Sequence, residues 1–298
     1  MSKFIDFRDK EACKKVRRIK KSEITEHESD DFNIEVIEKE KDFFSTFAID
    51  LVKEIKNSRD KGEEFVTILP VGPVAQYPIA AKLINEFRIP CDHVHTFNMD
   101  EYADENGNTP PADWKGSFRY TMEKNFFERI DNDLRPPKDQ IHYPTSDNIE
   151  NYGDKIEELG GADVCYGGIG WCGHIAFWDS HLGHEVDSIE EFKKLGPRVV
   201  ELHPMTILQN SLHSFGGDWS SVPPKAVTIG PKEIMEADHR SFWLCYAEKG
   251  GLSWQRFIAR LVMHGPVTPL VPGSVLQTEK TDMFLTEAVA ENVETDVS

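Results

Sequence analysis

Short apolar runs alternate with longer segments of helical periodicity along most of the chain. The apolar runs predict strands at residues 33–37, 65–69, 93–97, 162–166, 199–202, 226–229 and 242–246, and another near residue 141. Apolar positions at helical spacing predict helices at 43–55, 76–87, 117–130, 148–159, 205–212 and 252–264. Such alternation is typical of a mostly parallel sheet with helices on both faces. We therefore predict a three-layer αβα fold with a Rossmann-like sheet.

Two segments depart from this pattern. Residues 1–32 carry charges of both signs around few apolar positions, which predicts an N-terminal extension with a short helix docked on the body or on a neighbouring subunit. A single α/β domain is expected at 33–298, which is long enough for one large core. Residues 179–197 are polar and irregular, and two interpretations stay open: a mobile lid over a site, or an ordinary surface insertion.

Composition narrows the class of partner. The formal net charge is -18, which opposes a nucleic-acid or anionic membrane surface because both require clustered Lys and Arg. The five cysteines are scattered and odd in number, which favours a reducing cytosol over a disulfide framework. No apolar run reaches membrane-spanning length, and the N-terminus lacks the apolar core of a signal peptide. We expect a cytoplasmic protein whose partner is a small molecule.

Two polar segments each follow a predicted buried strand. The first is FNMDEY at 97–102, and the second is GGIGWCGHIAF at 167–177. Because the carboxyl ends of parallel strands meet at one edge of a sheet, Asp100 and His174 are expected in the same crevice. A carboxylate and an imidazole placed there suit proton transfer on a small molecule, and burial that raises the pKa of Asp100 would make it a better base.

These segments resemble those of the glucosamine-6-phosphate deaminases, also called isomerases, which share a fold with 6-phosphogluconolactonases and ribose-5-phosphate isomerase. FNMDEY matches the hallmark of that family, and the second segment resembles its G-G-x-G-x-D-G-H-I-A-F. The stretch at 117–127 resembles its S-Y-x-x-F-M-x-x-N-F-F, and 228–230 resembles its T-x-G. The resemblance covers roughly residues 33–290 and leaves the N-terminal extension outside.

The resemblance implies a role for each site residue. Asp100 corresponds to the base that moves a proton between C2 and C1 of the open-chain sugar, and His174 corresponds to the histidine that opens the sugar ring. Asp179 falls at the acidic position five residues beyond the histidine, as third member of a proton relay. Cys172 stands where the family has the aspartate of D-G-H, and a thiol holds an imidazolium poorly unless it ionises. The resemblance also implies a homo-oligomer without a cofactor.

Each of these residues could instead have a purely structural role. Asp100 could cap the helix that follows it, His174 could be a core histidine bonded to backbone, and Asp179 could be an ordinary loop carboxylate. The predicted substrate-binding residues are Val71, Gly72, Glu101, Gly168, Gly170, Gly173 and Lys249.

The residues that should hold a 6-phosphate differ from the family pattern. Val71 and Val74 replace hydroxyl donors in the loop at 69–75, and Pro73 replaces a glycine and removes an N–H. Ile207 stands at the position of the phosphate-binding arginine. Because phosphate recognition needs converging donors and positive charge, the sequence supports the hypothesis of a substrate that lacks the 6-phosphate.

Three other functions stay open. A lactonase of the 6-phosphogluconolactonase type has the same fold, and a catalytically retired sugar-binding or regulatory protein would explain the lost relay aspartate. The third is a zinc site built from Cys172, His174, His95 and Asp100, all of which are residue types that zinc accepts.

Overall fold

The computed structural model describes residues 5–245 and 255–294. Its strands in these ranges are β1 (Phe32–Ile37), β2 (Phe65–Leu69), β3 (Val94–Asn98), β4 (Asp100–Ala103), β5 (Ile141–His142), β6 (Val164–Gly167), β7 (Arg198–Glu201), β8 (Lys225–Thr228), β9 (His239–Leu244) and β10 (Thr281–Thr286). Its helices there are α1 (Lys10–Arg17), α2 (Glu40–Lys61), α3 (Gln76–Glu86), α4 (Phe118–Asn125), α5 (Tyr152–Glu158), α6 (Ile189–Phe192), α7 (Pro204–Ser214), α8 (Pro231–Glu236), α9 (Gln255–His264) and α10 (Glu287–Ala290).

Within the described residues, seven strands form one parallel sheet in the order β1-β10-β9-β6-β2-β3-β5. Helices flank this sheet, and the predicted Rossmann-like α/β fold is confirmed. Side chains of β2 alternate between two apolar cores, as strand geometry requires. Phe65 and Leu69 pack with α2 and α3, whereas Val66 and Ile68 pack with the cluster on the other face. The sheet is therefore buried on both sides.

A second sheet, of three strands in the described part of the chain, is antiparallel and has the order β4-β8-β7. The strands predicted at 199–202 and 226–229 lie here, so the expectation that they extend the parallel sheet is wrong. After β3 the chain leaves the parallel sheet, and β4 then pairs with β8 in antiparallel orientation. Strand β10 between β1 and β9 was not predicted.

The segment before β1 packs onto the body of the protein. Val16 and Ile24 are buried in the same apolar core as the parallel sheet, and α1 contacts α9. The buried Arg260 of α9 donates hydrogen bonds from Nε to the carbonyl of Ile19 (2.9 Å) and from Nη2 to that of Ala290 (2.7 Å). The extension is thus held by apolar burial and by the charge-assisted hydrogen bond from Arg260 to Ile19. That 33–298 folds as a unit of its own stays a prediction.

The segment at 179–197 follows the second motif and contains a 3-10 helix, Ser180–Glu185, and α6. Leu182 and Phe192 are buried in the core. In the ranges that the structure describes, no helix combines the length and apolar character needed to cross a bilayer.

Candidate active site

Asp100 lies at the junction of the two sheets. Met99 separates β3 from β4, and its N–H donates to the carbonyl of Leu69 in β2 (3.1 Å). The carbonyl of Met99 accepts from the N–H of Ile229 (2.8 Å), just after β8. Asp100 is therefore fixed by both sheets at the carboxyl edge of the parallel one, where open α/β folds hold their ligands.

A cavity of about 450 Å³ opens at this edge. Asp100 and His174 both line it, so the two sequence motifs meet in one crevice. Its wall includes four of the predicted substrate-binding residues, namely Val71, Gly72, Gly168 and Gly170. Lys249, another of them, lies outside the described residues.

Asp100 has the properties of a buried base. The residue retains 8% of its exposed area. Burial raises the pKa of Asp100 to about 8, and the charge of Glu101 acts in the same direction. A carboxyl group of this kind is a far stronger base, once ionised, than a carboxylate in water.

Glu101 is placed away from the cavity, in contrast to the prediction that it binds substrate. Its carboxylate accepts hydrogen bonds from Ser117 Oγ (2.9 Å), the Phe118 N–H (3.1 Å) and the Arg119 N–H (2.9 Å). These groups form the N-terminus of α4, whose unpaired N–H groups favour a negative charge. Glu101 therefore caps the next helix, the role considered for Asp100.

The glycines of the second motif have different functions. A Cβ on Gly170 would lie 1.9 Å from Nε2 of His174, so a larger residue there would displace the imidazole. Gly173, predicted to bind substrate, does not line the cavity. Its φ of +81° and its contact with Val271, which a Cβ would approach to 2.9 Å, give it a conformational role in the turn.

Asp179 lies directly behind His174. Its Oδ1 is 2.7 Å from Nδ1 of His174 and accepts a hydrogen bond from Thr206 Oγ1 (2.6 Å). Its Oδ2 accepts from the N–H of His203 (2.8 Å). Burial alone would raise the pKa of Asp179, but the charge of His174 and the hydrogen bonds outweigh it and hold this pKa at about 2. The ionised carboxylate favours a proton on Nδ1, which leaves Nε2 of His174 free to exchange a proton with a ligand.

Cys172 is part of the same cluster but does not line the cavity. Its Sγ is 3.0 Å from Oδ1 of Asp179 and 3.3 Å from Nδ1 of His174. Burial, followed by the charge of Asp179, raises the pKa of the Cys172 thiol well above its usual value. The sulfur therefore stays protonated and donates to Asp179. It replaces the family's aspartate with a neutral hydrogen-bond donor.

The four alternative zinc ligands do not form a single cluster. His95 lies outside the cavity wall, and its Nε2 is 3.1 Å from the side-chain amide of Gln140. Cys172, His174 and Asp179 do present ligand atoms within 4.8 Å of one another. Those atoms already hydrogen-bond to one another, so their closeness is explained without a metal ion.

Two residues near the relay were missed by the sequence analysis. Thr206 contacts both Asp179 and His174, at 2.6 and 3.0 Å, and it directly precedes Ile207. Asp6 contacts the residues around Asp179: its Oδ2 lies 2.9 Å from Ser180 Oγ and 3.3 Å from Nε2 of His203. The N-terminal segment thus reaches the residue whose N–H holds Asp179.

We expect Asp6→Asn to lower kcat several-fold and leave KM within about twofold, because Asp6 positions His203 and does not line the cavity. Steady-state kinetics on the best substrate checks this. Asp9→Asn is the matched control, since Asp9 caps α1 in the same segment and asparagine caps equally well. Equal kcat values for the two variants would show that Asp6 has no positioning role.

Apart from the imidazole of His213, the described remainder of the cavity wall is built from apolar and uncharged polar residues. Residues 70–75 contribute an apolar surface, and no Lys or Arg is among the described residues that line the cavity. Ile207 packs against the core instead. Asn210 and Gln255 do line it, and their Nδ2 and Oε1 atoms have no hydrogen-bond partner in the described part of the chain. Together, the Nδ2 donor of Asn210 and the Oε1 acceptor of Gln255 match the donor and acceptor capacity of a sugar hydroxyl group.

The fold and the site together define an α/β protein with a buried carboxyl group, Asp100, and a His174–Asp179 pair at one crevice. A monomeric glucosamine-6-phosphate deaminase has a similar structure, with a TM-score of 0.72 and 21% identity over 86% of this chain and 98% of that one. A 6-phosphogluconolactonase from Thermotoga maritima has a TM-score of 0.61 and 17% identity over 86% of this chain and 100% of that one. At these identities the likeness shows the fold alone.

Sequence similarity establishes the family. No family model matches the chain. A glucosamine-6-phosphate deaminase of Caenorhabditis elegans is 32% identical over 247 residues, which cover 77% of this chain and 85% of that protein. The chain belongs to the glucosamine-6-phosphate deaminase family, as its motifs predict, and is an enzyme. The predicted homo-oligomer stays a prediction.

Proposed function

We propose that this enzyme converts an amino-sugar aldose into a ketose with release of ammonia. Asp100 is the base and His174 opens the ring. The observation that carries the proposal is that both side chains line one cavity, with Asp179 fixing the imidazole from behind. Family membership supports the same chemistry, because the relatives are named for a deaminase activity on glucosamine 6-phosphate.

The chemistry follows from the protons that these groups hold. His174 Nε2 transfers a proton between the ring oxygen and the C1 hydroxyl, which yields the open-chain aldehyde. Ionised Asp100 removes the proton from C2 and returns it to C1, while a proton passes from the amino nitrogen to O1. The amino aldehyde thereby becomes a 2-imino sugar with a C1 hydroxyl, at the same oxidation level. Water then adds to the C2=N bond and ammonia leaves, which gives the ketose. No redox partner is needed.

We also propose that the substrate of this enzyme carries no phosphate at C6. The support is the composition of the cavity wall: Val71, Pro73 and Val74 replace the family's donors, and the lining residues described include no lysine or arginine. A dianion facing this wall would lose hydration without gaining charged partners. Asn210 and Gln255 offer neutral contacts for a hydroxyl group instead.

A substrate panel tests both proposals. Ammonia release and ketose formation are measured with glucosamine, glucosamine 6-phosphate and other unphosphorylated amino sugars. We expect turnover with an unphosphorylated amino sugar and a much lower kcat/KM for glucosamine 6-phosphate. Preference for the phosphorylated sugar would contradict the second proposal, and loss of that preference in Lys249→Ala would assign it to a residue outside the described ranges.

The same panel addresses two of the three other functions left open by the sequence, the lactonase and the retired sugar-binding protein. It includes a 6-phosphogluconolactone, whose hydrolysis would favour the lactonase. Absence of turnover on every sugar, combined with tight binding of one of them, would favour a retired sugar-binding protein.

A further inference from the structure

A second cavity, of about 600 Å³, opens beyond the carboxyl end of β5 at the edge of the parallel sheet. Four cationic side chains line it, namely Arg119, Arg135, Lys138 and Lys155. None of the four forms an ion pair with a carboxylate of the described residues, in contrast to Lys124 close by. In a chain with a net charge of -18, this concentration of unneutralised positive charge is unusual.

The carboxylates of this cavity do not cancel its positive charge. Glu128 is already paired with Lys124 at 2.5 Å. Glu123 accepts a hydrogen bond from the Tyr143 hydroxyl at 3.1 Å. The wall therefore carries four cations against one carboxylate that has no cationic partner in the described ranges.

Buried polar atoms at the same cavity lack partners. His142 lines the cavity, retains 9% of its exposed area, and has no described partner for Nε2. Nε of Arg135 is likewise buried and unpaired in these ranges. Burial, then the charges of Lys155 and His95, lower the pKa of His142 to about 4, while Asp139 opposes them. A neutral imidazole beside uncompensated cations suits an oxyanion, which accepts hydrogen bonds from all of them.

We propose that this cavity binds the phosphate group of a small phosphorylated metabolite, with Arg135, Lys138 and Lys155 as its charge partners. The volume accommodates a sugar phosphate or a nucleoside monophosphate beside Tyr143 and Tyr152. This site is separate from the catalytic cavity and does not depend on the substrate proposed above.

The position of this cavity makes its ligand an effector of catalysis. Tyr152 lines it, and its hydroxyl oxygen lies 3.0 Å from the carbonyls of both Asn98 and His142. Asn98 is two residues before Asp100. On the other side, the N–H of Arg119 donates to Glu101, the residue after Asp100. The cavity wall therefore contacts the carbonyl of Asn98 on one side of Asp100 and the carboxylate of Glu101 on the other, so occupancy changes kcat or KM.

The test is a titration of the full-length enzyme with inorganic phosphate at constant ionic strength, followed by NMR of the His142 ring. Phosphate binding is expected to shift the His142 signals and raise the pKa of His142, because an anion stabilises imidazolium. The variant K138Q/K155Q should weaken this binding by about tenfold or more. The control K41Q/K53Q removes two exposed lysines from α2 and should leave it unchanged.

Glucose 6-phosphate and AMP, titrated in parallel, identify the metabolite that carries the phosphate. A His142 signal that phosphate does not move, or that moves equally in K138Q/K155Q, would overturn the site. Binding without any change in kcat or KM would overturn its role as an effector site. Because His142 lies outside the catalytic cavity, these readouts are distinct from phosphate binding beside Asp100.

Discussion

Asp100→Asn is expected to abolish turnover and to stabilise the protein in the same experiment. The amide keeps the shape of the side chain but cannot accept the C2 proton, so we expect kcat to fall by about 100-fold to 10,000-fold. The native enzyme should show kcat/KM rising with pH through about 8, since Asp100 must lose its proton to act. Steady-state kinetics from pH 6 to 9 measures both effects.

The stability of Asp100→Asn follows from the same pKa. Native Asp100 keeps its proton up to about pH 8, whereas the unfolded chain releases it near pH 4, so the native state binds more protons between these values. The free energy of unfolding therefore falls as pH rises across this window, and the asparagine variant lacks that fall. We expect its Tm to exceed that of the native enzyme by an amount that grows from pH 4 to pH 9.

The control for this variant is Asp113→Asn, which makes the same change at an exposed carboxylate. It should leave both kcat and the pH dependence of Tm unchanged. An Asp100→Asn enzyme that is less stable than the native one at pH 8 would show that Asp100 is ionised in the folded state and paired.

Asp179→Asn is expected to remove activity as well, but to destabilise the protein. The native pKa of Asp179 is lowered to about 2 from 3.8, so its carboxylate contributes about 2 kcal/mol of stability above pH 4, which is lost as pH falls through 2. An asparagine also points its NH₂ group at donors from His174, Thr206 or His203. We expect kcat to fall by about 100-fold or more, because the imidazole loses its orienting charge.

Urea unfolding at pH 8 compares the two variants directly. Asp100→Asn should lie above the native enzyme in free energy of unfolding, and Asp179→Asn below it. Asp187→Asn, an exposed carboxylate in the segment that follows Asp179, is the control. If Asp179→Asn kept native activity, the relay behind His174 would have no part in catalysis.

The sequence predicts the parallel strands best where they are continuously apolar. β2 and β6 are buried on both faces, so their residues form apolar runs that local pattern reveals. β10 is hard to predict from its sequence because it contains the charged Asp282. The side chain of Asp282 pairs with Asn33 and His239 from the neighbouring strands. Its strand conformation depends on those tertiary contacts.

The site residues also fall into those that the sequence predicts and those that it does not. Asp100 and His174 follow predicted strand ends, so local sequence and sheet geometry are enough to bring them into one crevice. Thr206 and Asp6 reach the relay only through packing of segments far away in the chain, and nothing local marks them. The capping role of Glu101 likewise depends on tertiary structure, because the N-terminus of α4 must lie next to its carboxylate. Contacts made by distant segments are therefore the part that sequence alone did not provide.

The most direct measurement follows a deuterium label from C2 of the amino-sugar substrate by NMR. The native enzyme should remove the label from C2, and the label should appear at C1 of the ketose or in water, because a single base carries it. In Asp100→Asn the label should stay at C2. Release of the label from C2 at the native rate by Asp100→Asn would contradict the assignment of Asp100 as the base.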